Sequence, residues 1–207
     1  MKLSQMLREG TKEVHLQLEL SRFIGLLFKG ELEKGKYIQY LSYLFELYSC
    51  LEEGLFQNKN HPYLSKVYSE SLFRKGNIES DLIFFQKQTQ KSDLESLISY
   101  RERIKKLSDS SPLLLVSHAY VRYMGDLSGG QLLRKKVSET YGLIQQGLSF
   151  FQFPEDSKIL KERFRDGLDS IELSGEQKDE VLREAIYTFQ LNFQFFKELE
   201  LKLLPKE

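Results

Sequence analysis

The chain has 207 residues, with 30 basic and 30 acidic side chains that cancel at neutral pH. That length can bury a full core in one domain, and the charge balance disfavours a nucleic-acid binder. A single cysteine, Cys50, excludes an intrachain disulfide, a zinc site built on cysteines and a cysteine-ligated iron–sulfur cluster, and it suits a reducing compartment.

Leu, Lys, Glu and Gln are abundant while Val and Thr are scarce, which is helix composition. Periodicity and start signals predict helices over 4–28, 34–57, 78–88, 92–107, 112–138, 157–171 and 175–203 in one all-α domain spanning 1–207. The first nine residues, Met1 to Glu9, lack the apolar core of a signal peptide. No apolar run reaches membrane-spanning length, and the tail from Leu203 to Glu207 carries no anchor, so a cytoplasmic protein is expected.

In the first predicted helix Arg8, Lys12, His15 and Glu19 fall at i, i+4, i+7 and i+11, one stripe. Glu19 stands where it can orient the His15 imidazole through its second nitrogen. The next helix reads cleanly from Tyr37, Leu41, Leu44, Tyr48, Leu51 and Leu55. Gly30, His61-Pro62, Gly76-Asn77 and Phe153-Pro154 read as breaks. Ser92-Asp93-Leu94-Glu95 and Ser174-Gly175-Glu176-Gln177 have capping-box spacing, and Ser111-Pro112 reads as an N-cap followed by proline.

The most unusual stretch is Gly125-Asp126-Leu127-Ser128-Gly129-Gly130-Gln131, inside a helix that starts near Pro112. Each interior glycine costs ~1 kcal/mol relative to alanine. Without Cβ atoms the backbone itself can lie against a flat partner or bend. Gly125 and Gly129 share a face, and Asp126 opens the neighbouring stripe with Arg122 one turn before it. A thin wall with a carboxylate beside it suggests a site for a planar ligand.

Other chemistries fail on spacing. The Glu-x-x-His pairs of a di-iron bundle are missing, since Lys12 and Leu115 stand three before His15 and His118. There is no His-Glu-x-x-His, no Gly-x-Ser-x-Gly and no phosphate-binding loop. Ser128 lacks a base at fixed spacing and Cys50 sits among apolar positions, so neither reads as a nucleophile. One histidine ligand, one carboxylate beside a thin helix, and basic residues including Lys161 and Arg165 survive, and a haem suits that set.

The stretches Leu7-Arg8-Glu9-Gly10-Thr11-Lys12-Glu13-Val14-His15 and His118-Ala119-Tyr120-Val121-Arg122-Tyr123-Met124-Gly125-Asp126-Leu127-Ser128-Gly129-Gly130-Gln131 resemble the haem oxygenase family. Weaker matches follow in family order at Tyr48-Ser49-Cys50-Leu51-Glu52-Glu53, Phe150-Phe151-Gln152-Phe153-Pro154 and Leu191-Asn192. The resemblance implies an all-α bundle with haem b sandwiched between a proximal helix and a kinked distal helix. It implies His15 as the iron ligand with Glu19 bonded to it, and Gly125, Ser128 and Gly129 against the porphyrin. Asp126 would organise distal water, with Tyr48, Tyr100, Arg122 and Asn192 extending its network. Arg8, Lys12, Tyr120, Lys161 and Arg165 would line the propionate side. Arg8 replaces a lysine of some relatives, keeping the charge and changing the geometry.

Such a protein would cleave haem to biliverdin, carbon monoxide and ferrous iron, using dioxygen and electrons from a ferredoxin, a flavodoxin or an NADPH-dependent reductase. Attack at the α-meso carbon, no membrane anchor and a monomeric state are expected. A haem carrier or sensor on the same fold is the alternative reading. A helical interaction module with no cofactor, its glycines marking helix contacts, is a third.

Overall fold

The computed structural model describes residues 1–89 and 92–205. Lys206 and Glu207, the end of the tail read above as free of an anchor, lie outside the described residues. Among the described residues nine α-helices form and no strand: α1 (Leu3–Gly10), α2 (Lys12–Glu19), α3 (Arg22–Lys29), α4 (Lys34–Gln57), α5 (Lys75–Phe84), α6 (Glu95–Ser110), α7 (Leu115–Tyr141), α8 (Ser157–Asp169) and α9 (Gly175–Leu203). Short 3-10 turns occur at Leu64–Lys66, Glu70–Leu72, Pro112–Leu114 and Ser149–Phe151. None of these helices is long and apolar enough to cross a membrane.

The long amphipathic helices build the core. Tyr37, Leu41, Leu44, Tyr48, Leu51 and Leu55 of α4 are all buried, as their spacing predicts. α4 packs on α5, α6 and α7, while α9 packs on α1, α2, α3, α6 and α7 and forms the central spine. The Cys50 thiol is half-buried and donates to the Arg101 carbonyl at 3.5 Å, the packed role expected of it.

The predicted first helix, 4–28, is three helices. Across Thr11 the i to i−4 bonding persists, with Thr11 N on Leu7 O and His15 N on Thr11 O, each at 3.0 Å. The Thr11 hydroxyl also donates to Leu7 O at 2.7 Å, and this competition for one carbonyl accompanies the bend. Arg8 therefore lies on a different helix axis from Lys12, His15 and Glu19. At Leu20 and Ser21 the bonding tightens to i−3, and Ser21 caps α3 through Ile24 N. Gly30 ends α3 in the left-handed conformation at φ 77°.

Two start signals resolve differently. The capping box at Ser174–Gln177 forms as expected. Ser92 does not cap α6; its hydroxyl accepts from Leu94 N, and the Glu198 carboxylate of α9 accepts from Glu95 N and Ser96 N at 3.0 and 2.9 Å. A carboxylate on those amides satisfies two helix-end donors and meets the positive end of the dipole, so α6 starts at Glu95 and runs to Ser110. Ser111 makes no side-chain cap; Pro112 instead opens a 3-10 turn leading into α7. Gly76-Asn77 lies inside α5, whose start is fixed by Glu52 accepting from Lys75 N. α5 accordingly covers 75–84 rather than 78–88.

Candidate functional site

α7 runs unbroken through Gly125, Gly129 and Gly130. A Cβ placed on Gly125 or Gly129 would meet nothing within 4 Å, so this face of the backbone is bare. On Gly130 it would lie 3.9 Å from Phe151 and from the Asp126 Cβ, the packed side of the same helix. The helix is thus thin on one side and supported on the other.

The support is a buried clamp. Arg74 is 1 % exposed, and its guanidinium donates to the carbonyls of Leu72, Phe150, Gln152 and Ser71 while stacking 3.7 Å from the Phe153 ring. Asp81 accepts from Ser149 N and Phe150 N, both at 2.8 Å, and Gln131 of α7 donates to Phe151 O at 2.9 Å. These bonds tie the turn at 149–151 to the back of α7. Sequence reasoning missed Arg74 and Asp81; only the Phe150–Pro154 match hinted at the turn they hold.

On α7's inner flank the five expected polar residues form one connected network. Tyr48 donates to Asp126. Arg122 donates to the Tyr48 hydroxyl from Nε at 3.2 Å and from Nη2 at 2.9 Å. Its Nη1 donates to Asn192 Oδ1 at 2.8 Å, and Asn192 Nδ2 donates to the Tyr100 hydroxyl at 3.2 Å. Helices α4, α6, α7 and α9 each contribute. Burial pushes the Asp126 carboxyl above its ordinary range, opposed by the Arg122 charge, the Tyr48 hydrogen bond and the Arg74 charge. Burial pushes the Tyr48 hydroxyl well up. Burial works against the Arg122 cation too, but Tyr48, Asp126, Tyr40 and Tyr100 outweigh it and raise its pKa, so it stays charged.

The histidines separate by environment. His15 is half-exposed on α2, a helix that buries no residue completely. Its Nδ1 is 3.5 Å from Glu19 Oε1, and its ring stands edge-on to Phe189 of α9 at 5.7 Å. His118, by contrast, is fully enclosed, with Nε2 2.9 Å from Glu184 Oε1. His61 lies beside Tyr63 in the loop after α4. Of the three, His15 alone combines an accessible ring with an orienting carboxylate.

Arg8 of α1 and Arg165 of α8 both act on the Tyr120 hydroxyl of α7, which burial raises and which sits by the Thr11 side chain. Lys12, Lys161 and Arg165 make no ion pair among the described residues, which leaves cations to meet anionic groups. Ser128 is exposed on α7 beside the bare face. This set of groups fits a flat ligand carrying a metal and carboxylates: an imidazole, a backbone face without Cβ atoms, and cations free of ion pairs.

A family model described as heme oxygenase matches residues 1–198. Heme oxygenase 1 of Synechocystis is 33% identical over 98% of this chain and 86% of that protein. The heme oxygenase of Porphyra purpurea is 37% identical over 95% of this chain and 86% of its own length. Among solved structures, heme oxygenase-1 from Synechocystis in complex with heme superposes with TM-score 0.91, covering 99% of this chain and 95% of that one at 33% identity. Heme oxygenase from Leptospira interrogans gives TM-score 0.90 at 39% identity, covering 96% of this chain and all of that one, 100%.

Proposed function

Because the chain belongs to the haem oxygenase family, we propose that its residues divide the cleavage of haem among a ligand on α2, a proton network around α7 and a cationic rim on α1, α2 and α8. The protein is an enzyme that degrades haem, and haem is its substrate. The products are biliverdin, carbon monoxide and ferrous iron. Bound haem supplies the reactive iron and the carbon that is oxidised.

His15 ligates the iron through Nε2, since Glu19 faces Nδ1 and holds the ring. A neutral imidazole gives the iron only moderate electron density, without the push of a thiolate that favours O–O cleavage. Gly125 and Gly129 let the ring lie on backbone, and Ser128 flanks it. Asp126 holds water over the substrate and moves protons to it. Tyr48 fixes the carboxylate; Arg122, Asn192 and Tyr100 keep Tyr48 in place. Arg8, Lys12, Tyr120, Lys161 and Arg165 hold the two substrate carboxylates. Their grip sets the rotation of the ring and so which meso carbon faces Asp126, with the α carbon expected. Electrons come from a ferredoxin, a flavodoxin or an NADPH-dependent reductase. We read residues 1–207 as one domain, acting as a cytoplasmic monomer.

One observation carries the assignment: Asp126, Tyr48, Arg122, Asn192 and Tyr100 are linked by hydrogen bonds beside the bare face of α7. A haem carrier would need His15 and the cations but not this network. Asp126→Ala should still bind haem and lose at least about tenfold in ring opening. Single-turnover absorption spectra under air, with product analysis, test this; a normal biliverdin yield would remove Asp126 from the mechanism.

A further inference from the structure

The chain of hydrogen bonds described above reaches Tyr100. Beyond it lies His118, whose ring centroid is 5.5 Å from that of Tyr100. His118 Nε2 is 2.9 Å from Glu184, and Glu184 is also held by the Arg103 guanidinium, with Nε on Oε1 at 3.0 Å. Burial would raise the Glu184 carboxyl, but the bonds from His118 and Arg103 bring it down to about 2. An ionised carboxylate only accepts, so His118 Nε2 carries a hydrogen.

That choice leaves Nδ1 of His118 as a bare acceptor, and this buried atom has no partner among the described residues. A buried acceptor without a donor is poorly tolerated. On the neighbouring ring, the Tyr100 hydroxyl accepts from Asn192 and donates to none of the described residues. The unused donor and the unused acceptor are complementary, and they belong to rings whose centroids are 5.5 Å apart. We propose that His118 and Glu184 are positioning residues for the distal site. Glu184 holds His118 as the Nε2–H tautomer, so that Nδ1 accepts a hydrogen bond from the Tyr100 hydroxyl across at most one water molecule.

With that link every donor points the same way. From Arg122, one arm runs through Tyr48 to the carboxylate of Asp126. The other runs through Asn192, Tyr100 and His118 to the carboxylate of Glu184. Asn192 cannot flip its amide without breaking bonds to Arg122 and to Thr188 O at 2.7 Å. The far carboxylate is thereby joined, through His118, Tyr100 and Asn192, to the guanidinium that grips Tyr48. The groups that act on His118 electrostatically are Glu184 of α9 and Arg103 of α6, and Tyr100 of α6 packs on its ring.

The inference rests on the proposed role of Asp126, but its first test does not. Nitrogen-15 NMR of histidine-labelled, haem-free protein reads the tautomer directly, with His15→Ala and His61→Ala assigning the other two rings. The expected spectrum shows His118 protonated at Nε2 and a hydrogen-bonded, unprotonated Nδ1. An Nδ1–H tautomer or an imidazolium near neutral pH overturns the proposal and leaves the haem oxygenase reading intact. In the second test, Glu184→Gln should bring up the Nδ1–H signal, slow single-turnover ring opening several-fold and shift its pH profile. Arg103→Met removes the salt bridge but keeps the carboxylate, so it should change tautomer and pH profile less than Glu184→Gln does, and an equal or larger change would count against Glu184 as the group that sets the tautomer. A changed tautomer with an unchanged rate and pH profile in Glu184→Gln would show the histidine to be merely packed.

Discussion

Glu52 shows how a single carboxyl can set a pH dependence. It is buried on α4, and it accepts from the backbone N–H groups of Arg74 and Lys75. Burial raises it to about 7, against those two bonds and the charges of Arg74 and Lys75. A group raised above its unfolded value binds its proton more tightly in the native state. Its contribution to stability is therefore whole below the unfolded value of 4.5 and is lost as pH rises through about 7. The full swing is about 3 kcal/mol at 1.36 kcal/mol per unit. Glu52→Gln keeps an acceptor for the amides, so the variant should gain on the native protein as pH rises from 5 to about 8. Urea midpoints at several pH values test this, and a constant difference would show that Glu52 does not titrate there. At this scale Asp126, Tyr48, Arg122 and Asn192 were legible, because they belong to local motifs with characteristic neighbours. Arg74 was not: its partners are carbonyl groups of Phe150 and Gln152, and a carbonyl has no letter in the sequence.

Each helix carries a distinct part of the design. α4 and α9 match their expected bounds because long apolar stripes outweigh local ambiguity. The stretch 4–28 was misread because the apolar pattern continues across Thr11 and Ser21, while hydroxyl competition and an N-cap act locally. The start of α6 was misread because its cap comes from Glu198, more than 100 residues away. For α7 the glycines make an opposed pair of expectations. In Gly125→Ala/Gly129→Ala the added methyls meet open space in the haem-free protein, and helix propensity favours them by ~1 kcal/mol each. The melting temperature should hold or rise while haem affinity falls at least about tenfold, since each methyl stands off the ring. Calorimetry paired with haem titration separates the two effects. Unchanged affinity would mean that the bare face is not the haem wall.

Across the molecule, packing is uneven in a way that matches the proposed site. α2 contributes no fully buried residue, whereas α4 and α9 bury ten or more each. An element held by so few apolar contacts opens at low free energy. Haem bridging His15 to α7 should order it, so amide exchange over residues 12–19 should slow on haem binding. The same protection should be absent in His15→Ala. Hydrogen–deuterium exchange read by mass spectrometry checks both, and fast exchange over 12–19 in the haem complex would count against His15 as the ligand. The fold class was readable from composition, and the loosely held helix was not, since burial depends on which faces meet.

Two contacts of α9 lie close together along its axis. Phe189 touches the His15 ring and Asn192 holds Arg122. The two are three residues apart, a rise of about 4.5 Å. The two walls of the proposed haem site are thus gauged from a single turn of one rod. Loops elsewhere can lengthen without changing the slot width, but inserting one residue between 189 and 192 would rotate one jaw by about 100° against the other. That short segment of α9 is the calliper of the enzyme.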